Sequence, residues 1–179
     1  MMKSILCGAV TILALAGACV AGTPDHPNAQ LIAKFYAAFN AHDGKTMAAS
    51  YTPDAHFGDE VFTDLNGPQV GGMWRMLTGQ SKDLKVVASG IEADDTCGKA
   101  HWDAWYTFST GRKVHNIVDA KFTFKNGLIA THKDSFDFYA WSKQALGAAG
   151  TLLGWTPFLK SQVRRTAARA LAKFLEQNR

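Results

Sequence analysis

From residue 84 to residue 138 the chain changes period, and the change restricts it to antiparallel sheet. Leu84 to Ala93, Lys99 to Thr110, Lys113 to Phe124 and Leu128 to Phe138 are rich in β-branched and aromatic residues. Asp94-Asp95, Thr110-Gly111 and Asn126-Gly127 separate them. The last pair is the strongest short-range hairpin signal, because both of its residues tolerate positive φ. Four strands joined in series predict a meander.

Upstream the period is helical. Leu31, Ile32, Phe35, Tyr36 and Phe39 form one apolar stripe. Asp25 or Asn28 is placed to cap it, and Pro27 sits where a missing N–H costs nothing. Asp43-Gly44 breaks this helix, and a short second one is expected up to Ser50. Tyr51 to Thr63 reads as a strand, followed by a loop at Leu65-Asn66-Gly67. Pro68 opens a helix whose Val70, Met73, Trp74 and Leu77 share a face until Gly79 stops it. Helices followed by a meander define an α+β fold. Beyond Tyr139, Trp141 to Gly147 reads as a helical turn, Gly150 and Gly154 as a loop, and Thr156-Pro157 as a helix start. Phe158, Leu159, Val163, Ala167, Leu171, Phe174 and Leu175 then line one side of a final amphipathic helix.

The ends carry their own information. Lys3, the apolar run Ile5 to Leu15, and small residues at Ala16-Gly17-Ala18 or Cys19-Val20-Ala21 match a secretory signal peptide over residues 1–22. The run is shorter than the ~20 residues of a membrane span. A periplasmic or secreted protein is expected. Cys19 offers a lipoprotein alternative, although Ala16 stands where a lipobox usually has leucine. The division is then a signal peptide (1–22), one α+β domain (23–139) and a helical extension (140–179). About 160 residues remain after cleavage, enough for one core.

The formal charge of +4 belongs to the tail. Lys160, Arg164, Arg165, Arg169, Lys173 and Arg179 face only Glu176 there, so nucleic acid is not an expected partner. Such a helix either packs on the protein, the simpler reading, or lies on an anionic membrane surface. With Cys7 and Cys19 assigned to the leader or to lipidation, Cys97 is left alone and no internal disulfide is expected.

One segment points to a family. Tyr51-Thr52-Pro53-Asp54-Ala55-His56-Phe57-Gly58-Asp59-Glu60-Val61-Phe62 follows a helix ending Phe39-Asn40-Ala41-His42-Asp43, and it puts Asp59 on the face of Phe57. This order resembles the NTF2-like superfamily of ketosteroid isomerases, SnoaL-like polyketide cyclases and limonene epoxide hydrolases. The resemblance covers roughly residues 28–138. It implies a cone of helices and curved sheet around an apolar pocket for a small hydrophobic molecule, often in a homodimer. Against ketosteroid isomerase, the general-base aspartate falls on Asp59 and an aromatic that touches ligand falls on Trp74. The oxyanion tyrosine falls on Phe35, beside Tyr36, and its partner aspartate on Ala120. Asp119 is one residue away and points to the opposite face. Without those two donors the main stabilisation of an enolate is missing, which argues against that mechanism.

A different constellation remains. Alternation places His132, Asp134, Phe136 and Phe138 on one face of the last strand, and Asn116, Val118, Ala120, Phe122 and Phe124 on one face of its neighbour. In SnoaL-like relatives this region lines the cone. His132 and Asp134 would lie about 7 Å apart at Cα, each addressing one ligand, with Asp59 across the pocket. Asp59 and Asp134 are the expected acid and base, and His132 an orienting or relaying group. Phe35, Phe57, Trp74, Asn116, Val118, Phe122 and Phe136 are the expected lining, with Asn116 bonding the substrate. The other reading is a non-catalytic binding or interaction module in which these residues satisfy one another. His101, Asp103, His115, His132 and Asp134 lack metal-ligand spacing, and no glycine-rich phosphate loop is present, so neither metal nor cofactor is expected. Trp102 and Trp105 must face opposite sides of their strand.

Overall fold

The computed structural model describes residues 22–80 and 82–178, so the leader and Cys19 lie outside the described residues, Gly22 excepted. The elements are α1 (Pro27–Asn40), α2 (Gly44–Ala49), β1 (Tyr51–Gly58), β2 (Leu65–Asn66), α3 (Pro68–Gln80), β3 (Lys85–Ala93), β4 (Cys97–Thr107), β5 (Lys113–Lys125), β6 (Leu128–Ser135), α4 (Phe138–Leu146), α5 (Ala148–Leu153) and α6 (Pro157–Gln177).

Local chemistry sets most boundaries. Pro27 occupies the first turn of α1, but His26 is the cap, its side chain accepting from the Asn28 N–H. Asp25 and Asn28 do not cap. The Asn28 amide instead donates to the Asp94 carbonyl, tying α1 to the β3–β4 turn. Asp43 caps α2 through Thr46, and Asp137 caps α4 by accepting from Ala140. That last cap is why β6 stops at Ser135 and Phe138 enters a helix rather than the strand expected there. Leu65–Asn66 is likewise not a loop; Leu65 pairs with Phe57 and Asn66 with His56.

The strands form one sheet in the order β2-β1-β6-β5-β4-β3. β3 to β6 are the expected antiparallel meander. Asn126 (φ 55°) and Gly127 (φ 72°) both take positive φ at the β5–β6 turn, as a tight hairpin demands. β1 joins β6 in parallel, with Phe57 opposite His132. This sheet and its helices make the expected α+β cone, with an added C-terminal amphipathic helix.

The core lies between α1, α3 and the inner sheet face. Ile32, Phe35, Met73, Trp74, Val118 and Phe122 are among its fully buried members. A second small cluster, Val114, Phe138, Trp141 and Ala145, forms where α4 meets the sheet. Gly150 does not mark a loop but lies inside α5, while Gly154 opens the turn between α5 and α6. They let α5 press against α4, and a Cβ at Gly150 would collide with the Ser142 carbonyl. α6 buries only Leu171 fully, with Ala167, Phe174 and Leu175 packed at its edge. Leu175 fits the space left by Gly72 of α3.

Cys97 is disulfide-bonded. This corrects the expectation of a lone cysteine, which followed from assigning both other cysteines to the leader.

Phe122 is 1% exposed, with its ring 4.2 Å from that of His132. Phe122→Ala is expected to cost about 3–5 kcal/mol of stability in chemical denaturation, by lost transfer energy and an unfilled cavity.

Candidate functional site

β6 builds the site by parity. Thr131, Lys133 and Ser135 are exposed, while His132 and Asp134 turn inward and are 1% and 2% exposed. A histidine and a carboxylate are thus placed among aromatic rings, where each polar atom needs a partner. Phe35, Phe57 and Phe122 meet the imidazole edge-on or tilted, and Trp74 stacks near it.

The two side chains do not address a ligand separately, as the Cα spacing led one to expect. His132 Nε2 lies 2.9 Å from Asp134 Oδ1. On its other side, His132 Nδ1 lies 2.6 Å from the Tyr51 hydroxyl. Trp74 Nε1 donates to that hydroxyl oxygen at 2.9 Å, and Trp102 Nε1 donates to Asp134 Oδ1 at 3.4 Å. Indole N–H groups only donate, and a carboxylate only accepts. The polarity follows: Trp74 donates to Tyr51, Tyr51 to His132 Nδ1, and His132 Nε2–H to Asp134. All donors in this chain run toward one carboxylate. Burial, then the Asp134 charge, pushes the Tyr51 hydroxyl well above its ordinary pKa.

Tyr36, beside Phe35 on α1, contributes something else. Its hydroxyl is buried and has no hydrogen-bond partner among the described residues. Burial first, then Asp134 and then Tyr51, pushes its pKa well up, so it remains a protonated donor. Asp59 follows β1 and is half-buried. Its Oδ1 accepts from the backbone N–H groups of Val61 and Phe62. Desolvation nevertheless dominates and raises its pKa from 3.8 to about 7. The two N–H bonds and Lys133 oppose the rise, and the Asp134 charge adds to it. Asp59 makes no hydrogen bond to the Asp134–His132 pair; the coupling is electrostatic. Tyr106, raised to about 12 chiefly by burial, also feels the Asp59 charge.

Of the expected lining, Phe35, Phe57, Trp74, Val118 and Phe122 belong to the buried cluster, while Asn116 and Phe136 are half-buried. These side chains fill the cone. The larger cavity, about 680 Å³, is an open groove elsewhere, where Phe136 and Tyr139 face Trp155, Lys160, Arg164 and Arg165. A smaller one of about 200 Å³ lies by Gly58, Thr63 and Lys133. His101, Asp103 and His115 do meet, but on the opposite sheet face from His132 and Asp134. There His115 Nε2 is 2.5 Å from Asp103 Oδ1, and His101 Nδ1 is 2.9 Å from Asp119 Oδ1. Among the described residues no group of three His, Cys, Asp or Glu side chains could hold a metal ion.

Tyr51, Tyr36 and Trp102 are the members that the sequence left unassigned. The available signal for Tyr51 was its parity with Ala55 and Phe57 on β1, interrupted where the pairing of β1 with β6 shifts register between Tyr51 and His56.

Comparison with known proteins agrees with this geometry. The family model for the SnoaL-like domain matches residues 32–132. No curated protein matches the chain. An LEH-like epoxide hydrolase from M. tuberculosis has a similar structure, at 20% identity over 71% of this chain and 95% of that one, with a TM-score of 0.58. Wild-type IdmH from Streptomyces antibioticus is 21% identical over 69% of this chain and 100% of its own, with a TM-score of 0.57. TerC, co-crystallised with polyporic acid, is 14% identical over 68% and 100%, with a TM-score of 0.60. At these identities the likeness establishes the fold.

Three outcomes follow for the site. The Asp59 carboxyl should titrate with a midpoint near 7 in carbon-detected NMR, against 3.8 for an ordinary aspartate. A raised folded-state pKa means that protonation favours the fold. The stability Asp59 contributes is therefore complete below about pH 4 and is lost as pH rises through about 7. Asp59→Asn should remove that part of the decline in a pH series of denaturation curves. Tyr51→Phe should cost about 1–3 kcal/mol, because it leaves Trp74 Nε1–H and His132 Nδ1 buried without a partner.

Proposed function

The chain belongs to the SnoaL-like domain family, and we propose that it carries out cofactor-independent proton transfer on a small hydrophobic or aromatic molecule. The reaction class is isomerisation, cyclisation or hydration. The observation that carries this reading is the position of Asp59: a partly buried carboxyl tethered by two backbone N–H groups at the end of β1, where desolvation, with a smaller contribution from the Asp134 charge, raises its pKa to about 7. A group that changes protonation near neutrality can both take a proton and return it, which is what a single-site acid–base catalyst needs. Asp59 is the proton carrier in this reading. Asp134 is the fixed charge, and His132, held between Tyr51 and Asp134, keeps that charge oriented. Tyr36 supplies a buried donor for an oxygen that becomes negative, and half-buried Asn116 a second polar contact.

Export to the periplasm or beyond the cell belongs to the same reading, and the leader pattern of residues 1–22 supports it. Val87, Ile117 and Trp105 are exposed on the outer face of β3 to β5 and offer apolar surface for a homodimer.

One observation favours the other reading, a non-catalytic binding or interaction module. The cone is filled, and its His–Asp pair is already hydrogen-bonded at both ends. A substrate must displace aromatic side chains to reach Asp134.

A thermal-shift screen of polycyclic ketones, aromatic polyketides and terpenoid epoxides separates the two, run on the wild type and on Asp59→Asn. The catalytic reading predicts a compound that stabilises both forms and is turned over by the wild type alone, with a loss of about 10²-fold or more in the variant. A compound that binds but is never turned over, or no binding to either form, supports the module.

A further inference from the structure

The C-terminal segment presents a surface that the proton-transfer reading does not use. Four apolar side chains stand in solvent where α5 turns into α6: Leu152 is 70% exposed, Leu153 44%, Trp155 73% and Phe158 63%. Elsewhere the protein leaves few large apolar side chains this open, so the cluster needs a reason. The Trp155 indole only reaches back to the Leu152 carbonyl, at 3.2 Å.

α6 continues from this tip for 21 residues, about 31 Å at helical rise. Its inner stripe is Val163, Ala167, Leu171, Phe174 and Leu175, which are half-buried or buried. The outer stripe starts at Phe158 and continues through Arg165, Arg169 and Lys173, all exposed. Steps of seven and four residues keep these on one helix face, in line with the apolar tip. Lys160 pairs with Glu60, and Arg164 Nε donates to the Glu60 carbonyl at 3.0 Å. Arg165, Arg169 and Lys173 have no ion pair among the described residues. Three solvated cations therefore extend from four solvated apolar groups.

We propose that this face docks on an anionic lipid bilayer. A bilayer surface takes both halves at once. Leu152, Leu153 and Phe158 enter the acyl boundary, Trp155 sits at headgroup level, and Arg165, Arg169 and Lys173 meet lipid phosphates. A second copy placed symmetrically on this face would oppose like charges, which disfavours it. No helix among the described residues is long and apolar enough to cross a membrane, so the segment lies on the bilayer. The 680 Å³ groove is continuous with the surface, since Trp155 and Arg165 line both.

Vesicle co-sedimentation of the full chain tests this, with equimolar phosphatidylglycerol and phosphatidylcholine against phosphatidylcholine alone. Two variants accompany it, Trp155→Ser with Phe158→Ser, and Arg165→Glu with Arg169→Glu. All forms share residues 1–21, so any contribution from those cancels. The substituted positions are exposed, and unchanged melting temperatures confirm intact folds. Docking predicts partitioning onto anionic vesicles about tenfold or more above neutral ones, a comparable loss in each variant, and weakening in 0.5 M salt. Equal partitioning onto both lipids, variants that sediment like the wild type, or a Trp155-dependent dimer in velocity sedimentation would overturn it.

Discussion

Placing one carboxylate inside an aromatic core constrains everything around it. An unpaired charge there would cost several kcal/mol, so Asp134 must be surrounded by donors. Those donors come from separate parts of the chain. His132, on the same β6, and Trp102, brought by β4, bond Asp134 directly, while Tyr51 at the start of β1 holds His132 and Trp74 on α3 holds Tyr51. One run of hydrogen bonds thereby pins a helix and three strands in fixed register. A buried polar network adds little net stability compared with apolar packing, but removing one partner leaves a buried group unsatisfied and is costly. The network accordingly reads as a device for position more than for strength.

The same economy shapes the ends of the cone. Asp59 terminates β1, and its carboxyl is tethered by two backbone N–H groups. Those bonds favour the charged form, yet burial wins. Nearby, Lys160 and Arg164 of α6 reach Glu60, the next residue, so the C-terminal extension is fastened beside the tethered aspartate. The extension faces two environments. Leu171 and its neighbours use the gap at Gly72 to approach α3 closely, whereas the opposite side of α6 stays basic and open.

Much of this fold was legible because its strands are local. The meander and the Asn126-Gly127 turn follow from period and turn chemistry, and alternation along β6 correctly turned His132 and Asp134 inward. Alternation on β4 likewise separated Trp102, 7% exposed, from Trp105, 37% exposed. What period could not show was pairing between distant segments. Leu65–Asn66 became a strand only because Phe57 and His56 lie beside it. His26 took the α1 cap because Asn28 was drawn to the Asp94 carbonyl. Phe138 left the sheet because Asp137 prefers to cap a helix. The direct bond between His132 and Asp134, and the arrival of Tyr51 on the far side of the ring, depend on side-chain direction and on β1 joining β6 in parallel. Asp59, found by family order, is set apart by its desolvation, which no spacing rule predicts.

Hydrogen-bond polarity runs from Trp74 to Asp134 through one defined tautomer of His132. Long-range proton–nitrogen correlation NMR on the imidazole reports that tautomer directly. The proton is expected on Nε2, with Nδ1 unprotonated and accepting from Tyr51. A proton on Nδ1 would contradict it, because the Tyr51 oxygen would then receive two donors and its own hydrogen would be left in the core without an acceptor.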